Sequence, residues 1–244
     1  MSGGQQGPRI DVPDPAERAF HARLAHAVRE LEAAHEVELT LQRIVDLAAD
    51  LLGGEISASI SLVRDRRTVE TPACSSEDAR RADLLQYELG EGPCLSATHD
   101  HEVVQIDDLD TDERFPGWST AVVRRTGFRS ILSFRLFTAE GVLGALNLYA
   151  PRPRAFDAEL RGEGFLFAAQ AAVTLQAVLR EENLRTALIT RSVIGQAQGI
   201  LMERFGISAE QAFRLLSRIS QAEQVKIRDL AQRVVDTRET PGQP

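Results

Sequence analysis

Apolar positions recur along this chain with two periods, and the changes of period mark its elements. Asp14-Pro15 reads as an N-cap followed by proline in the first helical turn. Phe20, Leu24, Val28 and Leu31 then form a helical stripe as narrow as a coiled-coil seam. A second amphipathic helix is predicted over Val37 to Leu52, with Leu41, Ile44, Val45, Ala48 and Leu51 inward and Gly53-Gly54 ending it. The period then drops to two. Ile56, Ala58, Ile60 and Leu62 alternate with Ser57, Ser59 and Ser61, which predicts a strand. Thr68 to Cys74 is placed to pair with it across Arg64-Asp65-Arg66-Arg67.

Further on, Glu77 to Leu89 reads as a helix and Gly90-Glu91-Gly92-Pro93-Cys94 as a Gly-rich turn. Glu102 to Ile106 is a short strand before the acidic loop Asp107-Asp108-Leu109-Asp110. Phe115 to Arg125 is a helix ended by Gly127, and Ser130 to Phe137 with Val142 to Tyr149 makes a hairpin through Ala139-Glu140-Gly141. Asp157 caps a long Ala-rich helix through Phe165, Ala168, Ala172, Leu175 and Leu179, and no Pro or Gly interrupts residues 165 to 194. This order predicts an antiparallel sheet with helices on a face, an α+β layout.

The last stretch, Arg191 to Val235, reads as three helices. Ile194, Ala197, Leu201 and Phe205 recur at helical spacing, and Gly206 stops the first helix. Ser208 followed by Gln211 matches a capping box opening a second helix with Ala212, Leu215, Leu216 and Ile219 inward. Ser220-Gln221-Ala222-Glu223 is expected to be a loop, and a third helix carries Ile227, Leu230, Ala231, Val234 and Val235. So small a core needs small contact residues, and Ala197, Ala212 and Ala231 supply them.

Charge sharpens the division. Leu184 to Pro244 holds nine basic and six acidic side chains, net +3, whereas the whole chain is at −8. A basic tail on an acidic body predicts a tail that meets a polyanion. The −8 total confines any such surface to that tail. Two cysteines, Cys74 and Cys94, make no disulfide framework. The first residues lack the basic and apolar regions of a signal peptide. No uninterrupted apolar run reaches the ~20 residues that span a bilayer. A cytoplasmic protein without a membrane partner is expected.

Arg191, Ile194, the run Gln196-Ala197-Gln198-Gly199-Ile200-Leu201-Met202, Ala212-Phe213, Ser220-Gln221 and Lys226-Ile227-Arg228-Asp229-Leu230-Ala231 closely resemble the ANTAR domain, a three-helix RNA-binding module of transcription antitermination regulators. The family commonly has Lys where this chain has Gln198. The preceding body resembles a GAF domain, a small-molecule sensor module. That resemblance rests on Gly90 to Cys94, Val104 to Leu109, Gly127-Phe128-Arg129-Ser130, Gly144 to Ala150 and Phe167-Ala168-Ala169-Gln170.

Together these imply an α+β fold: a GAF antiparallel sheet flanked by helices, then an all-α three-helix ANTAR module on a long helical connector. Residues 1–13 form a disordered tail, 14–36 an N-terminal coiled-coil helix, 37–183 the sensor domain and 184–240 the RNA-binding domain. The implied function is a homodimeric, signal-responsive regulator. It would bind paired hairpin loops in nascent mRNA and keep a terminator from forming. The alternative is a DNA-binding regulator with the same sensor. An enzyme is not expected, since Cys94 and Cys74 show no resolving arrangement of the kind that methionine sulfoxide reduction would need.

Candidate site residues follow. Arg191, Arg214, Arg218, Lys226 and Arg228 would supply phosphate contacts, and Gln198, Ser220 and Gln221 polar contacts to RNA. Arg on an exposed helix face often serves only solubility; the charge contrast and the resemblance favour the RNA reading here. Cys94 and Asn147 are the candidate ligand contacts of the sensor pocket, whose small-molecule ligand the sequence does not name. Cys94 reads more simply as a small, partly buried hydrophobe. His99-Asp100-His101 is read as a solvated loop rather than a metal set. The acidic run Asp107 to Glu113 lacks the glycine and terminal glutamate of a calcium loop and is read as capping the helix near Phe115.

Overall fold

The structure, a computed structural model, describes residues 15–53, 55–64, 68–99 and 102–237. The expectations for residues 1–13, for the Asp14 cap and for Asp100 and His101 lie outside them, as does the side chain of His99. In chain order the elements are α1 (Pro15–Glu32), α2 (Val37–Leu52), β1 (Ser57–Arg64), β2 (Thr68–Cys74), α3 (Glu77–Leu89), α4 (Pro93–His99), β3 (Val103–Ile106), α5 (Pro116–Thr126), β4 (Ser130–Thr138), β5 (Gly141–Ala150), α6 (Ala158–Phe205), α7 (Ala209–Glu223) and α8 (Ile227–Thr237). They divide into two units, Met1–Leu179 and Arg180–Pro244.

The alternation in β1 organises the first unit, because both faces of the strand are covered. β1 lies inside a five-stranded antiparallel sheet of order β2-β1-β5-β4-β3. Its Ala58, Ile60 and Leu62 join Leu132, Phe134 and Leu136 of β4 and Leu146 and Leu148 of β5. Ile44 and Val45 of α2 and Phe167, Ala171 and Leu175 of α6 close that core. Each such large side chain contributes ~1.5–3 kcal/mol by leaving water. On the other face Ile131 of β4 and Tyr149 of β5 pack with Ala82 and Leu85 of α3 and Trp118 and Val122 of α5.

The stripe on α1 is used within the chain. Phe20, Ala27 and Leu31 are buried in the same core as the sheet, and Leu24 packs half-buried against it. The stripe is therefore not a seam wholly free for another molecule. α4 is an addition to the expected order, since the stretch after Gly92 reads as turn and loop in the sequence. At 7 residues it is too short to show a helical period. The β4–β5 hairpin is tighter than expected, with Thr138 opposite Gly141 across two turn residues.

α6 runs unbroken for 48 residues, opened by the Leu160 N–H donating to Asp157 Oδ1 at 2.9 Å. Contrary to the expectation from uninterrupted runs, one stretch of α6 is long and apolar enough by composition to cross a membrane, and 39% of that stretch is buried in the fold. Phe167, Ala168, Ala171, Ala172 and Leu175 account for much of this apolar character, and they are core residues.

In the second unit Ala197, Leu201, Ala212, Leu216, Leu230, Ala231 and Val234 form the core. Both halves of the Ser208–Gln211 capping box are made, and Gly206 ends α6 at φ +62°. Two expectations are corrected. Ser220 to Glu223 is helical, and α7 ends only at Gln224, whose φ is 56°. Polar Gln, Ala and Glu residues support an exposed last turn as readily as a loop. Phe205, expected to face inward, is 42% exposed in the final turn of α6.

Candidate functional site

The outward side of α7 carries three of the eight candidate RNA contacts. Ile207, Gln211, Arg214, Leu215, Ser217, Arg218 and Gln221 line a groove of about 600 Å³. Leu215 is half-buried against the core, so the groove has an apolar floor with cations and amides around it. The Gln211 side chain is held in place because its Oε1 accepts the Ser208 N–H at 2.8 Å. Arg214 forms an ion pair with Glu210 one turn earlier. Such an exposed pair is weak and readily exchanged for another anion. Among the described residues no carboxylate pairs with Arg218, Arg191 or Lys226.

The groove thus brings together Arg214, Arg218 and Gln221. Arg191, Lys226 and Arg228 are exposed but lie outside its lining. Two candidates have other work. Gln198 donates from Nε2 to the Ala209 carbonyl at 2.9 Å, bracing α6 against the start of α7. The Ser220 hydroxyl donates to the Val225 carbonyl at 2.7 Å, closing the C-terminus of α7. Gln211, Leu215 and Ser217 were missed. Their spacing from Arg214 and Arg218 is that of one helical face, which is legible in sequence.

The sensor candidates sit in a closed interior. Register places Ser59 of β1 opposite Asn147 of β5, and Ser133 of β4 on its other side. Asn147 is fully buried; it accepts from Ser133 Oγ at 2.8 Å and donates to Ser61 Oγ at 3.1 Å and Asp83 Oδ1 at 3.0 Å. Asp83 of α3, also fully buried, takes the Tyr149 hydroxyl on Oδ1 at 2.5 Å. β2 reaches the same cluster through a bulge beside Pro72, where the β1–β2 register shifts. It leaves Thr71 against Asp83 and Ala73 in the opposite core.

Cys94, in the first turn of α4, is fully buried rather than partly so. Burial, and secondarily the charge of Asp83, push its thiol up to about 12, so it stays protonated and is a poor nucleophile. Its N–H donates to Gln86 Oε1 at 2.8 Å, and Gln86 Nε2 donates to the Tyr149 hydroxyl at 3.3 Å. Gly92 permits this approach: its φ is 146°, and a Cβ there would lie 2.2 Å from Gln86 Oε1. Glu91 of the same turn caps α5, accepting the Trp118 N–H at 2.7 Å. The acidic loop is held by the chain's own cations. Arg129 binds Asp108 through both carboxylate oxygens and reaches Asp110 at 2.8 Å, while Asp112 accepts the Phe115 N–H at the start of α5. Asp83, Thr71, Gln86, Tyr87 and Tyr149 were not foreseen.

Comparison with known proteins agrees with both halves of this description. The model of the ANTAR domain matches residues 182–235 and that of the GAF domain residues 34–176. Among solved structures, the GAF domain of an Acinetobacter phosphoenolpyruvate-protein phosphotransferase superposes with a TM-score of 0.53 at 17% identity, over 68% of this chain and 98% of that one. The free methionine-R-sulfoxide reductase from Neisseria meningitidis, solved with its substrate, gives 0.55 at 14% identity, over 72% and 98%. The Stigmatella aurantiaca phytochrome photosensory core module gives 0.57 at 12% identity, over 86% and 46%. At these identities the likeness shows the fold alone. No curated protein matches the chain. ANTAR is an RNA-binding domain of antitermination regulators and GAF a sensor domain. With the GAF match covering more than half of its length, the chain belongs to the GAF-domain family and carries an ANTAR domain behind its sensor fold.

Proposed function

We propose that this protein is a signal-responsive transcription antitermination regulator that binds paired hairpin loops in nascent mRNA and keeps a terminator from forming. The observation that carries the reading is the α7 groove, with Arg214 and Arg218 at the edge of an apolar floor and Ser217 and Gln221 beside them. A hairpin loop offers unstacked bases for such a floor and phosphates for such cations.

The reading includes a homodimer. Leu166 and Val173 in the first unit, and Leu184 and Leu188 in the second, are exposed apolar residues of α6. A second copy is the partner that would cover them. Two modules in one dimer would engage two neighbouring loops and gain by effective concentration. A small-molecule signal acting on the sensor would shift the population of RNA-competent dimers. The reading is also of a cytoplasmic, non-catalytic protein. Free Cys74 and Cys94 suit a reducing compartment, and the protonated, buried Cys94 thiol suits packing rather than chemistry.

Fluorescence anisotropy tests this directly, with paired-hairpin RNA, matching DNA duplex and scrambled RNA over a salt series. Binding to the paired hairpins alone is expected. Arg218→Ala should weaken it and lower the log–log salt slope by about 1. Equal and steeply salt-dependent binding to all three would mean bare phosphate attraction and would overturn the reading in favour of a DNA-binding or other role.

A further inference from the structure

The face of the sensor sheet that holds Cys94 and Asn147 is filled by its own buried side chains, but the other face ends in a cavity. The β1–β5 register sets Ser57 opposite Tyr149 and so brings the start of β1 beside the end of β5. With the end of α2 and the first turn of α6 they frame a cavity of about 350 Å³, inside the ~300–1,000 Å³ range of small-molecule sites. Its walls are apolar. Leu52 and Ala150 belong to the core, and Ile56, Ala155 and Leu160 pack half-buried against it. Those three keep apolar surface in water that an occupant would cover. Hydrogen bonds fix the walls in advance. The Ile56 N–H donates to the Gly53 carbonyl at 3.3 Å, the Ser130 hydroxyl to the Arg152 carbonyl at 2.8 Å and Gln105 Nε2 to the Phe156 carbonyl at 2.7 Å.

Two charges of opposite sign stand on this lining, Glu55 from the turn between α2 and β1 and Arg152 from the turn after β5. Both are exposed, and among the described residues neither forms an ion pair, with the other or with a third group. An exposed arginine or glutamate alone serves solubility. Unpaired charges of opposite sign on one apolar cavity select a ligand that carries both. A simple carboxylate would meet Arg152 but be repelled by Glu55, and a simple amine would meet the reverse. A free amino acid with an apolar side chain satisfies both charges and the walls together. We infer that the cavity binds such an amino acid, its carboxylate on Arg152, its ammonium on Glu55 and its side chain against Leu52, Ile56 and Leu160.

This rests on the first unit's being a small-molecule sensor, and it names the class of signal. The Arg152 guanidinium presents a planar fork that matches a carboxylate, and the Glu55 carboxylate accepts from an ammonium. Leu160 lies in the first turn of α6, the helix that runs on into the second unit. An occupant therefore ties the end of α2 and the two strand ends to the start of that helix. It favours whichever arrangement of the helix leaves the cavity intact, which is how a ligand shifts a population.

Isothermal titration calorimetry of the full chain at neutral pH tests it, with L-leucine, isocaproate and isoamylamine as probes. The last two are the leucine skeleton without its ammonium and without its carboxylate. Leucine is expected to bind saturably and at least ~10-fold more tightly than either fragment, the worth of one charge-assisted contact. Arg152→Gln and Glu55→Gln should each weaken leucine by a similar factor, whereas Glu55→Gln should strengthen isocaproate by removing the like charge. Both side chains are exposed and Ser130 binds the Arg152 backbone, so both variants should keep the wild-type melting midpoint by Trp118 fluorescence. Leucine binding no tighter than isocaproate, binding indifferent to both substitutions, or no saturable binding would each overturn the inference. Anisotropy of the paired-hairpin RNA with and without saturating leucine keeps site and signalling apart. Leucine bound with RNA affinity unchanged would count against the signalling reading and leave the ligand class of the cavity standing.

Discussion

Leu216→Ala should unfold the second unit while leaving the sensor standing. Leu216 lies at 0% exposure in a core whose other members include three alanines. Only Leu201, Leu230 and Val234 share with it the burial of large apolar surface. Truncating a buried leucine costs ~2–5 kcal/mol, counting the cavity left behind. A unit of this size has roughly 3–10 kcal/mol in total, at ~0.05–0.15 kcal/mol per residue. One substitution therefore removes a large part of its stability.

Two optical probes separate the units. Trp118, the only tryptophan, is fully buried in the first unit between α3 and α5 and reports on that unit alone. Far-UV circular dichroism reports helices from both. In a urea titration the Leu216→Ala variant should lose helical signal in an early step while the Trp118 transition keeps its wild-type midpoint. Val122→Ala, beside Trp118, should lower the Trp118 midpoint together with the first unit's share of the helical signal. If the Trp118 midpoint moved together with the helical signal in Leu216→Ala, the two units would unfold as one. The cost worked from the second unit's core alone would then be wrong.

Two further outcomes follow from the sensor. The hydrogen bonds from Arg129 hold Asp108 below the usual carboxylate range, so their stabilisation is present at neutral pH and lost as pH falls through that lowered value; Arg129→Ala should be modestly less stable in urea at neutral pH and lose less on acidification, and an unchanged acid dependence would count against it. Thiol titration of the native chain should label half-buried Cys74 first and Cys94 only on unfolding, whereas Cys94 labelled at the unfolded rate in native buffer would contradict its burial.

Local order was legible wherever a period or a cap spoke for itself. The β1 alternation, the capping box at Ser208 and the cap at Asp157 each act over a few residues, and each is formed where its pattern stands. Elements without such a signal escaped. α4 is shorter than two full heptads and begins in a Gly-Pro stretch, and the last turn of α7 has neither Gly nor Pro to mark its end.

The two candidate sites differ for a deeper reason. On α7 the side chains face outward, so residue type and helical spacing already describe the surface they make. Inside the sensor the same residue types mean the opposite of what they suggest locally. Ser59 and Ser61 alternate with apolar residues as they would on a strand half in water, yet β5 and α3 cover them. Asp83 stands in a helix rich in charge, where nothing nearby distinguishes it from half-buried Asp78. Its burial is decided by Asn147 and Tyr149, more than sixty positions away and aligned only by the β1–β5 register. A pattern read along the chain tells how often a side chain turns inward, but not what it will meet there, and for a buried acid the partners determine whether it keeps its proton.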